Sequence, residues 1–149
     1  MIRTILLAFL VPVFVACGDD GTGDDGTTPC TDETGTVAVT VGAGLQPVLN
    51  WEPACAMAFL LIEEGASDQW GISTDDTTWD DPAQANLIVP PLTYGVTPAV
   101  AQEFQSPTTL VSGVTYDVNL GRIVAAESAA ECVLRAGNLC IMAIHEFTP

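Results

Sequence analysis

The chain predicts an all-β antiparallel sandwich, and three observations carry that prediction. Apolar residues recur at every second position in several short runs, Gly and Pro separate those runs, and long stretches with a helical period are missing. Only residues 125–135, rich in Ala, suit one or two helical turns.

The elements follow in order. Residues 36–41 read Thr-Val-Ala-Val-Thr-Val, which puts Val37, Val39 and Val41 on one face of a strand. Gly42-Ala43-Gly44 marks a turn. Leu49 and Trp51 then point inward together, and Glu52-Pro53 ends that strand. Residues 57–64 form a longer apolar run that finishes in the paired acids Glu63-Glu64, and residues 69–73 make a short strand around Trp70. Residues 87–89 are stopped by Pro90-Pro91. Residues 115–124 alternate with Tyr116, Val118 and Leu120 on one side, and residues 140–147 form a final apolar strand. There is no repeat at a solenoid period.

The N-terminus predicts a destination. Arg3 is the only cation before an apolar run over residues 5–15, which closes in Phe14-Val15-Ala16-Cys17. A short cationic start, an apolar core and a small residue at the break describe a secretory signal peptide. The run is too short for a bilayer, which takes about 20 apolar residues. Residues 18–35 contain no aliphatic or aromatic side chain, so they cannot bury apolar surface and read as a disordered, self-repelling acidic tether. The Asp19-Asp20 and Asp24-Asp25 pairs lack the alternate spacing of a calcium loop, which favours a solvated spacer. About 115 residues then remain, enough for one domain with a real core.

Charge excludes some partners. With 19 acidic and 3 basic residues the formal net charge is −16. Beyond the leader the only cations are Arg122 and Arg135, so the surface repels nucleic acid and anionic lipid headgroups alike. Attachment to a membrane must therefore come from acyl chains.

The four residues Phe14-Val15-Ala16-Cys17 resemble the lipobox of bacterial lipoproteins, although Phe14 stands where Leu is usual. The resemblance implies a leader over residues 1–16, a lipid (palmitate among its acyl chains) on Cys17 and a place in the bacterial cell envelope, on its periplasmic or surface face. An ordinary signal peptide cut after Ala16, with Cys17 incidental, is the other reading. The five cysteines favour lipidation. With Cys17 acylated, Cys30, Cys55, Cys132 and Cys140 form an even set, as expected of disulfides in an exported protein.

A second resemblance concerns the domain. Leu110, Gly113 and Tyr116, at three-residue spacing before an alternating strand, resemble the tyrosine corner of fibronectin type III domains. Leu49-x-Trp51-x-Pro53 is similar to that family's second strand. Together they imply a fibronectin type III/immunoglobulin-like sandwich of about seven strands over residues 36–149, after a tether over residues 17–35. The fifth strand is expected within residues 101–109, with residues 85–97 at the edge of the sheet. Four cysteines allow three connectivities. The family's topology gathers them at one pole and favours Cys132–Cys140 with Cys30–Cys55.

Catalytic candidates are few. His145 is the only histidine and lies on an alternating strand, where it reads as a strand residue. No second His accompanies it for zinc, and no Ser lies in a nucleophile elbow. The acid pairs Glu63-Glu64, Asp75-Asp76 and Asp80-Asp81 admit a carboxylate hydrolase only if two face one cleft. No catalytic residue, metal or cofactor is expected. Trp70, Trp79 and Tyr94 fall outside the core pattern, so they are the candidate binding residues, as an exposed platform for a glycan or protein. The alternative places Trp70 in the core and Trp79 over a loop. The expected function is non-catalytic binding or scaffolding at the envelope, with a carbohydrate-binding module as the alternative.

Overall fold

The computed structural model describes residues 35–149. The leader, most of the tether, Cys17 and Cys30 lie outside the described residues.

The described chain is an all-β antiparallel sandwich. A three-stranded sheet has the order β1 (Ala38–Val41), β2 (Val48–Glu52), β5 (Leu92–Thr93). A six-stranded sheet runs β6 (Gln102–Gln105), β4 (Ser67–Ser73), β3 (Phe59–Glu64), β7 (Tyr116–Ile123), β9 (Leu139–Phe147), β8 (Arg135–Ala136). Alternation sorts the side chains as expected. Val39, Leu49 and Trp51 from the small sheet meet Leu60, Ile62, Trp70, Ile72, Val118 and Leu120 from the large one. Burying each large apolar side chain contributes about 1.5–3 kcal/mol. The Trp51 indole N–H donates to the Cys55 carbonyl at 2.7 Å, which satisfies the one polar atom this core residue carries.

A glycine turn precedes β7. Gly113 takes φ +82°, a backbone state that suits glycine. The chain then turns into β7, and the buried Tyr116 hydroxyl accepts the Val111 N–H at 2.9 Å. Leu110 is buried beneath the loop, and the Tyr116 ring rests on Phe147 at 5.6 Å. Cys132 and Cys140 are bonded, with Cα atoms 5.6 Å apart, and close the excursion between β7 and β9. Cys55 is also disulfide-bonded; its expected partner, Cys30, lies outside the described residues.

Three expectations change. The strand beside β2 is Leu92–Thr93, not a segment of residues 101–109, and Gln102–Gln105 instead pairs with β4 at the edge of the large sheet. The reason is side-chain polarity. Leu92 and Tyr94 alternate inward and are buried, whereas Gln102, Glu103 and Phe104 are all exposed and suit an edge. Residues 87–89 contribute only the isolated bridge between Met57 and Ile88. Within residues 125–135, only Ser128–Glu131 turns, as a 3-10 helix.

Residues 74–86 form a strap over the outer face of the large sheet. A 3-10 turn (Asp76–Thr78) leads to α1 (Pro82–Ala85). The Asp81 carboxylate accepts from the Ala83 N–H at 3.0 Å and from the Gln84 amide at 2.8 Å, capping α1. Asn86 clamps the strap to β7: its amide donates to the Ile123 carbonyl at 2.7 Å and its oxygen accepts the Ile123 N–H at 2.9 Å. Beneath the strap, Ala58, Ala85, Ile123 and Leu139 form a second apolar cluster, with Phe59 and Trp79 at its margin.

Candidate functional site

The predicted aromatic platform does not assemble. Trp70 is fully buried and Tyr94 nearly so. Their rings meet edge to face at 5.4 Å, and the Tyr94 hydroxyl donates to the Thr108 carbonyl at 2.8 Å, with the Gln69 carbonyl at 3.2 Å. Period two explains Trp70, which shares an inward face with Ile72. Tyr94 pins the loop from Gln105 to Leu110, and burial pushes its phenol above the ordinary range. Beside it lies a cleft of about 330 Å³ bordered by Leu45, Pro107 and Thr108. Two of its polar side chains are already engaged, Tyr94 with the Thr108 carbonyl and the Thr108 hydroxyl with the Gln69 side chain.

Trp79 lines a different groove from Tyr94, and it is joined there by residues that the sequence pattern did not single out. A groove of about 330 Å³ on the outer face of the large sheet is lined by Phe59, Ser73, Asp76, Trp79, Gln102 and Phe104. Phe59 opens β3, directly opposite Ser73 on one side and Gly121 on the other. Phe104 lies on the edge strand and stacks on Phe59, with centroids 5.5 Å apart and planes 8° from parallel. The ring can reach Phe59 because Gly71 lies between them: a Cβ at Gly71 would overlap the Phe104 ring. Gly121 makes room on the other flank, where a Cβ would come within 2.9 Å of Leu139 Cδ1 and 3.3 Å of Phe59 Cβ. Half of Phe104, 49 %, remains open to solvent.

The strap supplies the other wall. The Asp75 carboxylate accepts from the Thr77 N–H at 3.0 Å and from its hydroxyl at 2.7 Å, which fixes the turn. Those bonds hold the Asp75 carboxyl below its ordinary value. The Trp79 indole N–H donates to the Thr74 hydroxyl at 3.2 Å, and the Asn138 amide donates to the Trp79 carbonyl at 2.8 Å. Trp79 is thus held from both ends. The Ser73, Asp76 and Gln102 side chains, by contrast, make no hydrogen bond among the described residues and remain available.

A signal for this site exists in the sequence. Phe59-Leu60-Leu61-Ile62 is apolar on both faces, although only Leu60 and Ile62 enter the core. An outward Phe is ordinary alone but marks an interaction surface when other apolar side chains join it in a patch. A Gly inside a strand, as at Gly71 and Gly121, marks a close approach of something else.

The remaining candidates stay apart. Half-buried His145 lies opposite Val118 on β9. Glu63 accepts from the Asn119 amide at 2.7 Å, while Asp75 and Asp81 act as caps. Among the described residues no three His, Cys, Asp or Glu side chains converge as a metal site, and no helix is long and apolar enough to cross a membrane. No known protein family, characterised protein or solved structure matches this chain.

Proposed function

We propose that this chain is a lipid-anchored protein of the bacterial cell envelope whose fibronectin type III-like sandwich is a non-catalytic binding module. The leader ending at Cys17 supports the anchor, and so does the cysteine count. Cys132 and Cys140 bond each other and Cys55 is bonded, so pairing of Cys55 with Cys30 leaves Cys17 for the lipid. The corner at Leu110, Gly113 and Tyr116 supports the family resemblance. One observation carries the binding role: a stacked aromatic pair is held open on the sheet beside three uncommitted polar side chains. Phe59 is partly covered by the second cluster, while Phe104 is left half in water.

Two measurements test this reading. Metabolic labelling with a palmitate analogue should mark the native chain, and Cys17→Ser should abolish the label and release the protein from the membrane fraction. Retention of Cys17→Ser on membranes, without label, would remove the anchor from the proposal. Crosslinking on native membranes should yield an adduct that Phe104→Ala eliminates. An adduct pattern indifferent to Phe104→Ala would remove the groove.

A further inference from the structure

We infer that the groove between Phe104 and the strap is a subsite for a neutral sugar ring, an assignment that rests on the binding-module reading above. Its volume, about 330 Å³, falls at the small end of ligand sites, which run from about 300 to 1,000 Å³. The chemistry of its lining narrows the ligand further.

Charge excludes an anion. The lining holds one carboxylate, Asp76, and no cation, within a chain of net charge −16. A phosphate or carboxylate ligand would meet repulsion with nothing to pair it. The hydrogen-bonding inventory then favours a polyol over a cation. Ser73 and Gln102 each offer donors as well as acceptors, and Asp76 offers acceptors. A hydroxyl both donates and accepts, so a ring bearing several can answer all three residues. An ammonium or guanidinium group only donates, and it would leave the Ser73 and Gln102 donors unanswered.

The apolar half of the groove fits the same ligand. A pyranose has a face of C–H groups and a rim of hydroxyls. Aromatic faces carry negative charge density and attract C–H groups laid against them. Phe59 and Phe104 lie with their rings nearly parallel, and polar side chains stand beside them, Ser73 opposite Phe59 and Gln102 opposite Ser73 in the sheet register. The Trp79 N–H is already committed to Thr74, so Trp79 contributes ring surface only. Two glycines, a capped turn and the Asn86 clamp hold this geometry before any ligand arrives, which reduces the ordering cost of binding.

The test is built into the tryptophans. Trp51 and Trp70 are fully buried, so an emission change on adding ligand reports on Trp79. The full-length lipidated protein in detergent is titrated with glucose, N-acetylglucosamine and the β-1,4-linked tetrasaccharide of each, with calorimetry in parallel. The expected result is saturable binding of at least one of them, insensitive to salt and weakened about tenfold or more by Phe104→Ala. Asp76→Asn should weaken it less than Phe104→Ala does. Failure of all four probes up to about 10 mM overturns the sugar assignment. A Phe104-dependent crosslink surviving that failure would leave the binding module standing. Salt-sensitive binding of a tri-lysine peptide, abolished by Asp76→Asn and outcompeting the saccharides, would also overturn it, in favour of a cationic ligand.

Discussion

Trp70–Tyr94 and Phe59–Phe104 are aromatic pairs with nearly equal spacing, 5.4 and 5.5 Å, and opposite surroundings. The first pair is sealed between the sheets, and its hydroxyl is tied to the Thr108 carbonyl in a loop and lies near the Gln69 carbonyl on β4. The second lies on the outer face of the large sheet, where glycines clear the space that side chains would fill. Residue type does not separate them: the Trp and Tyr, which carry polar atoms, are inside, and a pure hydrocarbon is half in water. Neighbours separate them. Trp70 shares an inward face with Ile72, while Phe104 rises over a residue that has no Cβ. The inner pair holds the fold together, and the outer pair leaves surface for something else.

The largest effect should come from breaking the inner pair. Trp70→Ala empties a fully buried site and should cost about 3–5 kcal/mol, read as a fall in the denaturation midpoint. Trp70→Phe should cost much less. The Trp70 indole N–H is buried without a partner among the described residues, and removing it relieves part of the loss from the smaller ring. Equal destabilisation by the two substitutions would show that a Phe ring cannot fill the site and would remove this account of Trp70.

Next comes the support beneath the outer pair. Gly121→Ala places a methyl between Leu139 and Phe59, both hemmed in by the strap, and should cost about 1–3 kcal/mol. A neutral outcome would mean that the second cluster repacks freely and that the groove is softer than its geometry indicates.

The inner pair was readable from the sequence in one respect and obscure in another. Period two assigns Trp70 inward once it is counted with Ile72, but one inward residue per short strand is easily set aside for its polar atom. Tyr94 follows Pro90-Pro91, where the alternation restarts with Leu92, so its burial depends on a strand only two residues long. The main strands and the corner were legible because each carries its own alternation or turn chemistry. The edge strand around Phe104 was not. Its residues are nearly all exposed, so its place is fixed by pairing with β4 rather than by a pattern of its own. The groove draws on β3, β4, β6 and the strap, and no single segment announces it.

Tyr94→Phe should have a smaller effect, about 1 kcal/mol, because the ring stays and only the hydroxyl's bonds to Thr108 and Gln69 are lost. It also changes the response to alkali. Burial raises the Tyr94 phenol above its unfolded value of about 10, so folding favours the protonated form. That preference is fully present below about pH 10 and is lost as pH rises through the raised folded value. The native chain should therefore lose stability above about pH 10 more steeply than Tyr94→Phe does, in denaturant melts repeated across that range.

The smallest effect on stability belongs to the outer pair, and this is where the comparison is sharpest. Phe104 is half exposed on an edge strand, so Phe104→Ala gives up one stacked contact and little buried area, about 0.5–1 kcal/mol. Gly71→Ala should cost a similar amount by a different route. Its methyl meets the far end of the Phe104 side chain, which can swing into solvent instead of straining the sheet. Both substitutions dismantle the same wall of the groove, one by deleting the ring and one by displacing it. Thermal melts should leave both close to the native chain, while binding at the groove falls in both. Should Phe104→Ala prove as damaging to stability as Trp70→Ala, the outer pair would be a structural clamp, and the contrast between the two pairs would disappear.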